Sequence, residues 1–161
     1  MEIDTCAPSH LPKILNMYGQ KFSQVVFMPK EALSGFGVEI EVSKHLVVSP
    51  DKVVITLRVF NGTSQPITLN FQEKPIHDIV VKDKEGKEIW SWSHGKFFTQ
   101  EIPPPITVTK ENPHILEETW DLKDNDKKPV GMGTYIVKGI VKSKPCSMKA
   151  TTILEIGLKA L

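Results

Sequence analysis

The sequence predicts an all-β fold, either a sandwich or a barrel. From residue 36 onward, short runs of alternating apolar and polar residues follow one another along the chain. Turn signals separate these runs at regular spacing, and no convincing helical pattern lies among them. The chain also has twelve prolines, which suit the loops and exposed edges of a β-protein.

The first two strands have the clearest alternation. FGVEIEV, residues 36–42, places its apolar residues on one face and its two glutamates on the other. KVVITLRVF, residues 52–60, alternates in the same way, and a Ser-Pro-Asp turn at 49–51 precedes it. Further strands are predicted at 67–71, 76–82, 88–93, 106–109, 115–120, 134–141 and 151–158. Turn residues separate them at 61–62, 85–86, 112–113, 124–126 and 144–145.

Residues 1–35 lack this alternation. Pro8, Pro12 and Pro29 interrupt any regular element, and only a weak helical spacing is visible between residues 11 and 18. Methionines at 17 and 28 leave a later translation start open. We therefore predict two parts: an N-terminal extension at 1–35, either a short helix or poorly ordered, and a β-domain at 36–161.

Composition excludes several classes of function. Twenty basic residues against nineteen acidic ones give a net charge of +1, which argues against a nucleic-acid surface. No apolar run approaches the ~20 residues of a membrane span. The N-terminus lacks the apolar core of a secretion signal, and two cysteines, Cys6 and Cys146, suit a reducing compartment, although one disulfide stays possible. These observations predict a cytoplasmic protein.

No motif for catalysis or for cofactor binding is present. The five histidines are scattered without metal-ligand spacing, and no G-x-S-x-G elbow or phosphate-binding glycine loop occurs. DLKDND at 121–126 lacks the glycine and the distant glutamate of a calcium loop, so we interpret it as a solvated turn. The sequon at Asn61 is interpreted as a turn as well. We predict no metal, no cofactor and no enzymatic activity.

Trp90 and Trp92 project from the same side of their predicted strand. A hairpin loop of two or four residues would place them beside Ile79 and Val81, whereas a three-residue loop would place them beside Val80. The favoured interpretation is a core face on which both tryptophans are largely buried. The alternative is an exposed aromatic strip that stacks on sugars.

Glu118 shares one strand face with Leu116 and Trp120. If the two apolar side chains point inward, the carboxylate lies near the core and needs a hydrogen-bond donor. Arg58, the single arginine, is a candidate, although it lies on the polar face of its own strand. We interpret Glu118 as structural.

A resemblance to a known family appears in the same stretches. IVVKDKEGKEIWSWSHGKFFTQ, followed by ILEETWDLKDNDKKPVGMGTYIVKGIV, resembles the bacterial intracellular proteinase inhibitor family. RVFNGTSQPITLNF resembles the strand pair that precedes them in the family, so the resemblance covers residues ~36–142 in order. It implies an immunoglobulin-like antiparallel β-sandwich. The residues that match the family's framework pattern are Trp90, Trp92, Ser93, Thr99, Gln100, Glu118, Trp120, Asp121, Gly133 and Tyr135.

The chain departs from the family at one turn. After W-D the family usually has a glycine and then Asp-x-x-Gly, where this chain has Leu122 and Lys127. Asparagine and aspartate tolerate left-handed backbone conformations better than other residues do. We therefore expect the turn to survive the loss of glycine.

The family's founding member inhibits a subtilisin-type serine proteinase inside the cell, so the resemblance implies an inhibitor of such an enzyme. We separately expect the protein to be a monomer. Two loops could make the contact: SHGKFFTQE with Lys96, Phe97 and Phe98, and EIPPPITV with Pro103, Pro104 and Pro105. The competing interpretations are phenylalanines that pack inward and prolines that protect a sheet edge. The alternative function is an immunoglobulin-like interaction module without inhibitory activity, because the W-D to G-T-Y ending also resembles modules of secreted and flagellar-assembly proteins.

Overall fold

The computed structural model describes residues 35–48, 51–144 and 147–157. These ranges contain ten strands and no helix, as the sequence predicts. The strands are β1 Phe36–Val42, β2 Leu46–Val48, β3 Val53–Asn61, β4 Ile67–Leu69, β5 His77–Asp83, β6 Glu88–Ser91, β7 Ile106–Val108, β8 His114–Trp120, β9 Gly133–Val141 and β10 Met148–Gly157. The predicted extension lies outside the described residues apart from Gly35, and both cysteines lie outside them too.

The strands form three sheets. The orders are β1-β3-β8, β2-β10-β9-β5-β6 and β4-β7. All pairs are antiparallel except β2 with β10, which run parallel. The sequence analysis missed β2, because three residues are too few to display alternation; its central residue Val47 is nevertheless fully buried.

The hydrophobic core lies between the two larger sheets. The alternating residues of β3 (Val53, Ile55, Leu57 and Val59) are all 0% exposed, and β9 contributes Val137 and Val141 to the same core. At Gly139 of β9 the sheets approach so closely that a Cβ atom would overlap the Leu57 side chain. This face-to-face arrangement is a β-sandwich.

Asn61 organises the connection that follows β3. Its side chain is buried, and its Nδ2 donates to the carbonyls of Gln65 at 2.7 Å and of Val108 at 2.9 Å. Its Oδ1 accepts hydrogen bonds from the backbone and the hydroxyl of Thr63. The sequon is thus a structural turn that ties β3 to β7.

The turn after β8 forms without glycine, as expected. The left-handed residues are Leu122 with φ 60° and Lys127 with φ 66°, the two positions where the family usually has glycine. Asp124 and Asn125 act by hydrogen bonding instead. Asp124 Oδ1 accepts from the backbone of Asp126 and Lys128, and Asn125 bonds to β6 at Ile89 and Ser91. Side-chain hydrogen bonds therefore hold a turn whose backbone geometry suits glycine.

Candidate functional site

The β5–β6 hairpin decides where the two tryptophans point. Asp83 N donates to Lys87 O, so the loop has three residues, 84–86, and Gly86 takes φ 88°. A uniform register from this loop would pair Trp90 with Val80. The register shifts by one residue between Val81 and Lys82, and Val81 consequently lies opposite Trp90. A β-bulge thus restores the pairing that the sequence analysis assigned to an even loop.

Trp90 belongs to the core, as predicted. It is 8% exposed and stacks on Trp120, with ring centroids 5.8 Å apart. Trp120 is fully buried, meets Tyr135 edge-on and donates from Nε1 to the carbonyl of Lys123 at 2.8 Å. The hydroxyl of Tyr135 donates to the carbonyl of Gly131. These aromatic residues therefore form the framework of the sandwich at this end.

Trp92 is less buried than Trp90 and packs against the core from its edge, as a partly buried residue. Its backbone N donates to Ile79 O, which keeps it in register with β5. Its ring stacks on His77 at 4.4 Å, contacts Phe98 at 5.8 Å and has the Nζ of Lys96 3.8 Å from its centroid. Neighbouring side chains thus cover a ring that a sugar platform would leave open.

The loop at residues 93–105, which we call the β6–β7 loop, is braced along its length. Asp78 accepts hydrogen bonds from the backbone N of Ser93 at 3.1 Å and from its hydroxyl at 2.5 Å. Lys74 Nζ donates to Thr99 Oγ1 and to Glu101 Oε2, both at 3.2 Å. Together with the contact of Phe98 on Trp92, these bonds hold both ends of the loop against β5 and the connection that precedes it.

The loop divides the six contact candidates into two groups. Phe97 is 100% exposed, and Lys96, Pro104 and Pro105 are exposed as well. Phe98 turns back onto Trp92 and is half-buried, and Pro103 is buried. Ile102, which the sequence analysis missed, is 73% exposed and adds a second apolar group to the accessible surface. Its position just before three prolines is the only sequence signal that could have indicated it.

His77 supplies the donor that Glu118 requires. His77 Nε2 donates to Glu118 Oε1 at 2.9 Å, and the His77 side chain is 9% exposed. Arg58 pairs with Glu39 at 3.4 Å instead. The donor could not be read from the sequence, because His77 and Glu118 lie 41 residues apart on strands of different sheets.

His114 lies close to the same group. Burial lowers the pKa of His114 below its ordinary value of 6.5, and the nearby His77 lowers it further. Its Nε2 atom is buried without a hydrogen-bond partner among the described residues. Protonation of His114 therefore places an uncompensated charge in a partly buried position.

The remaining framework residues have structural positions. Gly133 opens β9 with φ 147°, a conformation that favours glycine. Asp121 lies 3.8 Å from Lys123 Nζ, and Gln100 is exposed.

A cleft of about 590 Å³ opens beside the β6–β7 loop, between the edges of β6 and β8. Trp92, His94 and Lys96 line it on the loop side, and Glu117, Glu118 and Thr119 line it on the β8 side. No cluster of three potential metal ligands occurs within the ranges that the structure describes. In those ranges there is also no helix long and apolar enough to cross a membrane.

Comparison with known proteins gives a family match. A model of the family BsuPI, intracellular proteinase inhibitor, matches residues 40–146 of the chain. No curated protein matches the sequence.

Three solved structures show remote similarity to the chain. Spo0M, a sporulation control protein of Bacillus subtilis, is 13% identical to this chain, with a TM-score of 0.49. The match covers 78% of this chain and 50% of Spo0M, so this chain spans about half the length of Spo0M. The CARDB domain of a Pyrococcus furiosus protein is 14% identical, with a TM-score of 0.43 and coverage of 77% and 95%. FlgD from P. aeruginosa is 16% identical, with a TM-score of 0.35 and 75% coverage of each chain. Similarity this remote carries no information on function.

Proposed function

The chain belongs to the intracellular proteinase inhibitor family, and from that premise we propose that it binds and inhibits an intracellular serine proteinase of the subtilisin type. The β6–β7 loop makes the contact. The protein acts without catalysis, as a monomer in the cytoplasm, through an immunoglobulin-like domain at residues 36–161. The family assignment supports the general role, and the geometry of the loop supports its location.

The observation that carries this proposal is the full exposure of Phe97 on a braced loop. A phenylalanine left entirely in water contributes nothing to the stability of the fold, whereas its transfer into an apolar pocket of a partner is favourable. Hydrogen bonds from Ser93 to Asp78 and from Lys74 to Thr99 hold the loop on either side of Phe97. A loop already held in one conformation loses little entropy on binding.

The groups around Phe97 extend the contact surface. Lys96 precedes it, and Ile102, Pro104 and Pro105 present further exposed groups on the same loop. The prolines keep the chain extended, as a substrate is held in a proteinase cleft. A stable proteinase–inhibitor contact covers roughly 800 Å² per partner, so residues beyond the loop must take part as well.

The test is an inhibition titration with a purified subtilisin and the full chain. We expect the rate of substrate hydrolysis to fall in proportion to the amount of protein added. The mass of the recovered chain, measured by mass spectrometry, should show that it has not been cleaved. Full proteinase activity at micromolar excess of the protein would contradict the proposal. In that case the interaction module without inhibitory activity becomes the function to test.

A further inference from the structure

The hydrogen-bonding pattern of β3 shows which backbone groups of β8 face outward. Ser43 N donates to Val54 O, and Gly62 N donates to Gly35 O, in register with the β1–β3 ladder. Hydrogen-bonded positions alternate along an antiparallel strand. The even-numbered residues of β3 therefore bond to β1 and the odd-numbered ones bond to β8.

The odd-numbered residues of β3 lie opposite the even-numbered residues of β8, from 114 to 120. The N–H and C=O groups of Ile115, Glu117 and Thr119 consequently point away from the sheet. Within the part of the chain that the structure describes, no backbone hydrogen bond reaches them. The three side chains are exposed, Ile115 by 46%.

Two other strand edges, those of β1 and β6, are covered. On β1 the outward-facing positions include Val38 and Ile40, which are 2% and 0% exposed. The edge of β6 is occupied by Asn125, which accepts from Ser91 N and donates to Ile89 O. Among residues 35–48, 51–144 and 147–157, no strand or loop pairs with the outer edge of β8, and no proline lies between residues 114 and 120. It is thus free to pair with another extended segment.

We infer that the outer edge of β8 is a second contact surface, on which an extended segment of the bound proteinase adds a strand. The inference rests on the proposed function, because the cleft along this edge continues into the β6–β7 loop through Trp92, His94 and Lys96. A proteinase seated on Phe97 therefore lies next to β8. Strand addition supplies main-chain hydrogen bonds at spacings of about 7 Å, the distance between alternate residues.

The charge of Glu117 indicates which kind of extended segment can pair with the edge of β8. Glu117 is the middle of the three outward residues, and the ion pairs of the described residues do not include it. A second copy of the chain, paired through all three positions about a two-fold axis, would place Glu117 opposite Glu117, which is unfavourable. A segment with a lysine or arginine opposite Glu117 is favoured instead.

The test measures amide hydrogen exchange of the full chain, residue by residue, free and in complex with a purified subtilisin. In the complex we expect exchange at Ile115, Glu117 and Thr119 to slow by at least about tenfold, since each amide gains a partner. Unchanged exchange at these amides in a complex that inhibits the enzyme would overturn strand addition and leave the loop proposal intact. A subtilisin that the protein does not inhibit would overturn both.

A matched pair of variants gives a second readout. Glu117→Pro removes an outward N–H without touching the β3 ladder, and Glu117→Gln removes the charge but keeps the N–H. We expect the inhibition constant to rise about tenfold for proline and by a smaller factor for glutamine. Equal inhibition constants for the two variants would overturn the inference. If Glu117→Pro does not fold, the hydrogen-exchange experiment on the unaltered chain still tests strand addition at β8.

Discussion

The ring of Trp92 stacks on the ring of His77, with centroids 4.4 Å apart and planes 26° from parallel. His77 in turn donates to Glu118 on the other sheet, and Trp92 contacts Phe98 in the β6–β7 loop. One buried histidine therefore links both sheets of the sandwich to the base of the proposed contact loop. It was not among the residues that the sequence singled out.

Replacing His77 by alanine should destabilise the protein. The substitution leaves Glu118 without its donor, and hydrogen bonds to charged groups contribute about 1.5–3 kcal/mol. Chemical denaturation measures the loss. In the control, Glu118→Gln, the amide oxygen still accepts from His77, so a smaller loss is expected. Equal stability of His77→Ala and the unaltered chain would show that the His77–Glu118 hydrogen bond contributes nothing.

Phe97→Ala should weaken inhibition and leave the melting temperature unchanged. The side chain is 100% exposed, so its removal costs no core packing, while a central aromatic contact contributes about 2 kcal/mol or more to binding. Lys96→Ala and Pro104→Gly should act in the same direction with smaller effect. Inhibition titrations and thermal melts on the same samples separate the two quantities.

Trp120→Ala is the framework control for those variants. Truncation of a fully buried aromatic side chain costs about 3–5 kcal/mol of stability, so this variant should melt much earlier. Two outcomes would contradict a contact role for Phe97. In one, Phe97→Ala loses as much stability as Trp120→Ala; in the other, Phe97→Ala inhibits the proteinase as well as the unaltered chain does.

Lys127→Gly should stabilise the protein by about 1 kcal/mol, because a φ of 66° strains a lysine backbone and is unstrained for glycine. Leu122 has φ 60°, but its side chain is 3% exposed, so Leu122→Gly should lose more in burial than it gains in the backbone. Lys128→Gly, next to the strained position but outside the left-handed region, is the matched control and should give no gain. Urea denaturation measures the stability of all three variants. The strain argument fails if Lys127→Gly is less stable than Lys128→Gly.

Stability should fall as the pH falls below 6.5, in part through His114. Its folded-state pKa lies below the unfolded value of 6.5, so between these two values the unfolded chain binds more protons than the folded one. The contribution of neutral His114 is therefore complete above pH 6.5 and is lost as the pH falls through the folded-state pKa. His114→Gln should flatten this part of the profile, measured by urea denaturation between about pH 5 and pH 7.5. A variant profile that keeps the full slope would exclude His114 as the source.

The sequence by itself determined the all-β class, the faces of the long strands and the family. Alternation of period two is a local property, so Val53 to Val59 could be assigned to the core, and Trp90 with them, without knowledge of partners. Strand boundaries depend more on neighbours, and the predicted 88–93 strand ends at Ser91 for that reason.

The tertiary structure decided the features that depend on distant residues. A bulge, invisible in the sequence, set the register of Trp90 against Val81. The donor to Glu118 came from another sheet, and the left-handed positions of the turn fell on Leu122 and Lys127. Phe97 and Phe98 are adjacent and chemically identical, and only the contact of one ring with Trp92 makes it structural and leaves the other in solvent. Local pattern assigns a residue to a face, whereas burial is fixed by what the rest of the chain places against that face.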